Sequence, residues 1–219
     1  MRGCAEGLTL VAASLVLAGC QTSATKKPDA RPVVEITEDE RPGWRGVANE
    51  ADTSLIAGLE AAWREALADA GRQARSEGKL LDPQAALPRP APSPGSYMCR
   101  VIRLGSSKRR DPAFQAFKPF FCHVGVNGEQ LSITKQTGSE RPAGYLWDDT
   151  DKNRMIFLGT LTLGNETAPL SYGEDPSRNM AGVFERVGPL RYRLVVPKPR
   201  GLAKLDVIEL VPAPVQLDD

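Results

Sequence analysis

Two strands joined by a tight turn are predicted by the stretch Val183-Phe184-Glu185-Arg186-Val187-Gly188-Pro189-Leu190-Arg191-Tyr192-Arg193-Leu194-Val195. Apolar and β-branched residues are frequent in both halves, and the central Gly-Pro pair is a strong turn signal. In the second half, Tyr192, Leu194 and Val196 alternate with Arg191 and Arg193, which predicts a strand with one apolar and one basic face. This hairpin sets the expectation for the second half of the chain, because similar runs recur on both sides of it.

Eight such runs are predicted after Gly95. They cover residues 97–104, 117–124, 129–135, 143–148, 154–163, 180–187, 190–196 and 204–211. Asn127-Gly128 is the strongest two-residue hairpin signal in the chain, and Pro119 marks the second run as an edge strand or one that starts late. We predict a mainly β (α+β) fold for residues 96–219, an antiparallel meander that forms either a curled sheet or a small barrel.

One amphipathic helix is predicted before the strands. Its apolar positions follow helical spacing, and they are Leu55, Leu59, Ala62, Trp63, Ala66, Leu67 and Ala70. Asp52 or Thr53 can cap its start, Gly71 weakens its middle, and Gly78 is placed to end it. We expect this helix to pack on the β domain.

Two further features complete residues 43–95. Trp44 and Val47 predict a short turn that packs with the helix. The run from Asp82 to Gly95 contains five prolines and predicts an extended, polyproline-like connector. We expect this connector to act as a spacer.

An apolar run near the N-terminus ends with Leu17-Ala18-Gly19-Cys20. This stretch resembles the lipobox of bacterial lipoproteins. The run is well short of the roughly 20 residues of a membrane-spanning helix, so residues 1–19 predict a cleaved signal peptide. The alternative is a buried helix or an uncleaved anchor. Cys20 would carry the lipid, and residues 20–42, rich in proline and charge, predict a flexible tether. By resemblance to enterobacterial sorting rules, Gln21 favours the outer membrane, facing the periplasm.

Composition narrows the possible functions. The chain has 28 Lys+Arg against 27 Asp+Glu, a net charge of +1, so it lacks the basic excess expected of a nucleic-acid-binding protein. The GxSxG, HExxH, GxGxxG and P-loop motifs are absent from the sequence. The single histidine, His123, follows Cys122 in a predicted strand and should point to the opposite face, which favours a solvated histidine. We predict no cofactor and no metal.

Cys99 and Cys122 remain after Cys20 is acylated and the signal peptide is removed. In an oxidising envelope compartment these two thiols predict a disulfide. The rival interpretations are a metal pair with His123 or a reactive thiol, but a metal site needs more ligands than these residues supply.

The densest carboxylate cluster contains Asp149, Asp151 and Asn153, which match the opening of a calcium loop. Arg154 replaces the glycine that such a loop requires, and Thr160 stands where a bidentate glutamate belongs. A polar hairpin turn is the better interpretation.

Two loops combine groups that can bind an anion or a saccharide. Thr137, Ser139 and Arg141 lie in one, and Tyr172 and Arg178 lie in the other. Hydroxyls, backbone N–H groups and guanidinium can bind such ligands, but the arginines can equally pair with neighbouring carboxylates. We treat these five residues as candidate binding residues.

Several short motifs resemble a known bacterial family. They are Trp63 in its Leu/Ala-rich helix, Tyr97-Met98-Cys99-Arg100, Phe121-Cys122, Thr137–Pro142, Phe157-Leu158-Gly159, Tyr172-Gly173, Arg191–Pro197 and Lys204–Leu210. The pattern resembles the domain-of-unknown-function family DUF4893 of Gram-negative envelope proteins, over roughly residues 44–212. The resemblance implies no reaction.

Three hypotheses follow for the function. The leading one is a non-enzymatic envelope lipoprotein that binds a partner, such as a protein or peptidoglycan, and is held at the membrane by the lipid on Cys20. The second is a glycan-active enzyme, which needs paired carboxylates in one cleft. The third is a lipocalin-like carrier, which needs a closed barrel around a large apolar cavity.

Overall fold

The computed structural model describes residues 43–108 and 110–214, in which four short helices precede nine β-strands. The helices are α1 (Trp44–Val47), α2 (Glu50–Ala57), α3 (Leu59–Ala70) and α4 (Arg72–Arg75), with 3-10 turns at Gly78–Leu81, Pro176–Arg178 and Pro199–Gly201. The strands are β1 (Gly95–Ser106), β2 (Phe114–Ala116), β3 (Phe120–Asn127), β4 (Gln130–Lys135), β5 (Glu140–Asp148), β6 (Arg154–Leu163), β7 (Asn179–Gly188), β8 (Arg191–Pro197) and β9 (Ala203–Pro212). The predicted signal segment, Cys20 and the tether lie outside the described residues.

The strands form a closed barrel. From β3 to β9 each strand pairs antiparallel with the next along the chain, β1 pairs with β3, and β9 returns to pair with β1. Eight strands therefore close on themselves, and β2 is an extra strand on the edge of β1. This arrangement confirms the predicted antiparallel meander and shows that it is a barrel rather than a curled sheet. The sequence did not predict β2, a three-residue strand with two exposed side chains.

Both predicted hairpins form, but each two-residue loop lies one position later than the predicted Asn127-Gly128 and Gly188-Pro189 pairs. Asn127 still pairs with Gln130, so the two-residue loop between β3 and β4 begins at Gly128, whose φ is +63°. Gly188 pairs with Arg191 in the same way, and Pro189 occupies the turn. The second predicted strand starts late, at Phe120, because Pro119 cannot donate a ladder hydrogen bond.

Alternate side chains of each strand point into the barrel and form one apolar core. Near one end the interior is filled by three aromatic rings. Tyr192 stacks on Phe184 with ring centroids 5.7 Å apart, and Tyr97 meets Tyr192 edge-on at 6.2 Å. We call this the closed end of the barrel. The strand turns there are short.

The helices cover part of the outer surface and create a second core. α2 packs on β7, and α3 packs on β1 and β9. This core contains helix side chains such as Trp63 and Leu80 together with outward-facing strand residues, namely Ile102, Leu104, Ile156, Leu158, Ala181, Val183, Val195, Leu205 and Val207. The barrel wall between them is therefore buried on both sides.

The face of β8 that was expected to be basic lies beneath this helical layer. Arg193 is 0% exposed and donates hydrogen bonds to Glu185 at 2.6 Å, to Leu80 O at 2.9 Å and to Asp82 O at 2.7 Å. Its guanidinium carbon lies 5.0 Å from the centroid of the Trp63 ring. The alternation was predicted correctly, but Arg193 is a buried structural group and not part of a solvated basic face.

The helical segment differs from the single predicted helix. Gly58 separates α2 from α3, and Gly71, with φ of +58°, ends α3. The cap is Asn49, whose side chain accepts a hydrogen bond from the backbone N–H of Asp52 at 2.7 Å, so neither predicted cap residue is used. Glycine breaks the helix because it adopts non-helical backbone conformations at little cost.

The proline-rich connector runs along the barrel. The backbone N–H of Leu87 donates to Arg186 O at 2.8 Å, and the Arg186 side chain donates to Pro88 O at 3.1 Å. The connector is therefore fastened to β7. None of the helices in residues 43–108 and 110–214 is long and apolar enough to span a membrane.

Candidate functional site

A cavity of about 540 Å³ opens at the end of the barrel opposite the aromatic rings, and its lining extends outside the barrel to Asp52 and Leu55 of α2. We call this the open end. β1, β4, β6 and β8 finish there, so the connections of residues 107–119, 136–139, 164–178 and 198–202 surround the entrance. The inward-facing lining is mainly apolar and comprises Val101, Phe120, Cys122, Ile133, Pro142, Phe157, Leu161, Met180, Leu194, Val196, Ile208 and Leu210.

A pair of glycines shapes one wall of the cavity. Gly144 on β5 and Gly159 on β6 are directly paired. A Cβ built on Gly159 would lie 2.6 Å from Cζ of Phe157, and one on Gly144 would lie 2.8 Å from its Cε2. The two bare backbones therefore leave the space in which the Phe157 ring lies flat against the wall.

Two ion pairs lie at the entrance. Arg103 holds Asp206 with both carboxylate oxygens engaged, at 2.8 and 2.7 Å. Burial raises the pKa of the Asp206 carboxyl above its usual value, and the bonds from Arg103 offset this only in part. At the more exposed rim, Arg200 donates to Glu140 at 2.9 Å.

Lys135 points into the same entrance from the end of β4. Its Nζ lies 4.4 Å from the centroid of the Phe120 ring, and the backbone of Gly138 passes beside it. Burial lowers the pKa of this ammonium, and the charge of Glu140 offsets the effect only in part. Within the described part of the chain, no hydrogen bond or ion pair holds Lys135.

The predicted disulfide is present. Cys99 on β1 and Cys122 on β3 are bonded with Cα atoms 6.0 Å apart, and this excludes the metal-pair and free-thiol interpretations for the bonded form. The bond closes the connection that carries β2 and Phe117, which lines the entrance. His123 is exposed on the outer face, as predicted from the alternation.

The first candidate binding loop lies at the open end. Thr137 lines the cavity together with Gly138. Ser139 uses its carbonyl to accept a hydrogen bond from Gly164 N at 2.8 Å. The Arg141 side chain turns outward and donates to the carbonyl oxygens of Gly138, Gly164 and Glu166 at 2.8, 2.7 and 2.6 Å. Arg141 therefore joins two connections of the open end to each other.

The other two candidate residues are also engaged within the fold. Arg178 donates to Glu166 at 2.6 Å, which brings it close to the acceptors of Arg141. Tyr172 lies against α2, where its hydroxyl donates to the Asp52 carboxylate and accepts from Asn49 N. Burial, together with this carboxylate, raises the pKa of Tyr172. The five candidate residues do not converge on one point, and their ligand binding stays a prediction.

The carboxylate cluster forms the turn between β5 and β6 at the closed end. Asp149 accepts from Trp44 Nε1 at 3.1 Å and from Arg154 Nε at 2.7 Å. Burial raises the pKa of Asp149, but the hydrogen bonds from Trp44 and Arg154 outweigh it and hold the pKa below its usual value. Asp151 accepts from Asn153 N at 2.9 Å, an Asx turn. The residues described by the structure contain no group of three or more His, Cys, Asp or Glu side chains placed to hold a metal ion.

The charged residues of the entrance were missed at the sequence level, although a signal exists. Lys135 follows Leu131 and Ile133 at two-residue spacing, and Asp206 precedes Ile208 and Leu210 in the same way. Polar residues in register with the apolar face of a strand point inward with it.

A family model describes residues 44–210 of the chain, and its description is "Domain of unknown function (DUF4893)". The chain belongs to the DUF4893 family. The match spans the helical layer and nearly the whole barrel, so these two parts together make up the DUF4893 domain. No curated protein and no solved structure matches the chain.

Proposed function

We propose that this DUF4893 barrel binds one small, mainly apolar molecule in its cavity and acts as a non-catalytic carrier or receptor. The observation that carries the proposal is the cavity itself, about 540 Å³ in a closed barrel that is filled at one end and open at the other. Sites for small molecules typically measure about 300–1,000 Å³ and are mostly apolar. Eight-stranded barrels can hold one small ligand, as in lipocalins.

Binding of a neutral fluorescent probe, N-phenyl-1-naphthylamine, tests the proposal directly. The wild-type protein should bind it at one site with increased emission. Val101→Phe places a ring in the cavity and should weaken binding at least about tenfold, which corresponds to about 1.4 kcal/mol. Val126→Phe is the matched control, because Val126 is 56% exposed near the closed end. Folding of each variant is checked by circular dichroism.

Two results would contradict the proposal. One is a folded wild-type protein that binds no neutral apolar probe. The other is a folded Val101→Phe variant that binds as tightly as Val126→Phe.

We further propose that Cys20 carries a lipid and holds the barrel at a bacterial membrane, by preference the outer membrane facing the periplasm. The lipobox-like sequence supports this, and the Cys99–Cys122 disulfide fits an oxidising compartment. An envelope protein or peptidoglycan is then the natural partner. Labelling cells with a fatty-acid probe should mark the wild type and not Cys20→Ser. Label that persists in the variant would exclude this anchor.

A glycan-active enzyme is the second candidate, and one observation favours it. Asp206 and Glu140 both line the entrance, and burial raises the pKa of Asp206, as in carboxylic acids that donate protons during glycoside hydrolysis. Under this alternative, the wild type should cleave peptidoglycan glycan strands. Asp206→Asn should abolish turnover, and Asp151→Asn at the closed end should not. Absence of turnover by the wild type would reject the candidate.

A further inference from the structure

The charges that line the cavity are mostly neutralised within the protein. Arg103 and Asp206 form a two-bond ion pair, and Arg200 pairs with Glu140. Lys118 and Lys198 also line the entrance, but both are exposed and therefore solvated. These groups need no ligand to balance them.

Lys135 is the exception among the described residues of the lining. It is partly buried, it points inward in register with Ile133, and its Nζ contacts only the face of the Phe120 ring at 4.4 Å. A cation over an aromatic face is stabilised modestly, far less than by a carboxylate or phosphate at hydrogen-bonding distance. Glu140 acts on Lys135 only from beyond ion-pair distance and is itself bonded to Arg200, so the partly desolvated ammonium has no carboxylate in contact with it among the described residues.

The surroundings of Lys135 define what could match it. Below it the walls are apolar, formed by side chains such as Phe157, Leu194 and Leu210. Beside it, the backbone of Thr137-Gly138 borders the entrance, and a Cβ on Gly138 would lie 3.4 Å from Lys135 Nζ, at van der Waals contact. Gly138 therefore leaves this side of the ammonium uncovered by a side chain.

We propose that the cavity takes an amphiphile whose apolar chain lies inside the barrel and whose single anionic head, a carboxylate or a phosphate monoester, pairs with Lys135. This inference rests on the proposed ligand-binding function. It adds the chemical class of the ligand and the residue that recognises its charge.

The experiment displaces bound N-phenyl-1-naphthylamine with four amphiphiles of equal chain length, used below their micelle concentrations. They are dodecanoate, dodecyl phosphate, dodecanol and dodecyltrimethylammonium. In the wild type at least one of the two anions should compete about tenfold more strongly than dodecanol, the scale of one charge-assisted hydrogen bond, and the cation should compete least. Lys135→Gln should remove the advantage of the anion over dodecanol, and Lys135→Arg should keep most of it.

Lys152→Gln is the matched control, because it removes the same charge from an exposed position at the closed end. It should leave every affinity unchanged. Dodecyl phosphate and dodecanoate separate a phosphate head from a carboxylate head.

The outcomes separate this inference from the function on which it rests. If the wild type binds the neutral probe but dodecanol competes as well as either anion, the barrel is a carrier and the assignment of the anionic head is wrong. The assignment is also wrong if Lys135→Gln and Lys152→Gln reduce anion binding equally, because the effect is then long-range charge. If the folded protein never binds the neutral probe, the carrier function itself fails.

Discussion

Replacing Arg193 by methionine should weaken the attachment of the helical layer to the barrel. The side chain is 0% exposed and supplies hydrogen bonds to Glu185 and to the carbonyls of Leu80 and Asp82, close to the end of a 3-10 turn. Removing one partner of a buried ion pair costs about 3–5 kcal/mol, since the other charge remains buried without a partner. The two carbonyls lose a further donor each, at about 1 kcal/mol per bond. The methionine chain keeps part of the packing against Trp63, so lost packing adds little and we expect a net loss of about 5–7 kcal/mol.

The measurement is urea denaturation followed by tryptophan fluorescence, to which Trp63 contributes together with Trp44 and Trp147. Against a typical stability of about 5–15 kcal/mol, a loss of this size should shift the midpoint clearly. Arg191→Met is the matched control on the same strand. Arg191 is partly exposed and pairs with the buried Glu209 at 2.6 Å, and Glu209 keeps its ion pair with Arg100 when Arg191 is replaced, so we expect a loss of about 1 kcal/mol.

A double variant tests the reasoning further. Glu185→Gln combined with Arg193→Met should lose less than the sum of the two single changes, because no buried charge is left unpaired. The buried ion pair does not hold the helical layer if Arg193→Met lies within about 1 kcal/mol of the wild type, or if the single effects simply add.

Three further predictions concern stability. Replacing Cys99 and Cys122 by serine should lower the free energy of unfolding by about 3 kcal/mol on the chain-entropy account of a two-dozen-residue loop, measured by urea denaturation without reductant. Asp149→Asn should destabilise the protein at neutral pH by about 1–3 kcal/mol. Because the folded-state pKa of Asp149 is depressed, its contribution is present above the ordinary pKa of about 3.9 and is lost as the pH falls through the lower folded value, so variant and wild type should converge in acid. Gly144→Ala should destabilise by about 1–3 kcal/mol or more, since its Cβ would lie 2.5 Å from Gly159 Cα.

Each of these has a control. Reductant should lower the stability of the wild type and leave the Cys99/Cys122 double serine variant unchanged. A gap between Asp149→Asn and the wild type that stays constant from neutral to acidic pH would show that the carboxylate charge is not what stabilises the fold. Gly43→Ala, where an added Cβ meets nothing within 4 Å, should be nearly neutral, and an equal loss at both glycines would contradict the close-approach argument.

The strands and their order were predictable because the information is local. The turns at Gly128 and Pro189 involve neighbouring residues, and an up-and-down meander only requires each strand to pair with the next. Closure was not predictable, because it depends on β1 meeting β9 across almost the whole domain. The helical breaks are local as well: Gly71 was expected to weaken the helix and ends α3, whereas the break at Gly58 was not predicted.

The site was harder to predict than the fold, for a related reason. From the sequence alone, charged residues such as Lys135 and Asp206 are expected to be exposed to solvent. Their inward orientation places them in a binding site only because the barrel is closed. For Arg141 the sequence suggested the opposite of what the structure shows. Its loop composition suggested ligand binding, whereas its three carbonyl acceptors engage it within the open end.

The two cores of the domain share strand backbones but use opposite faces of them. Side chains that alternate along β8 illustrate this, with Leu194 lining the cavity and Arg193 fixed beneath the helices. A barrel with a cavity lacks part of the side-chain packing that would stabilise its interior. The apolar side chains buried between the barrel and the helices compensate for this loss. Stability and ligand binding should therefore separate by face. Arg193→Met should lower stability while the remaining folded protein binds the probe normally, and Val101→Phe should weaken binding at least about tenfold while changing stability little. If both variants changed both properties together, the cavity and the helical layer would have to be one cooperative structure.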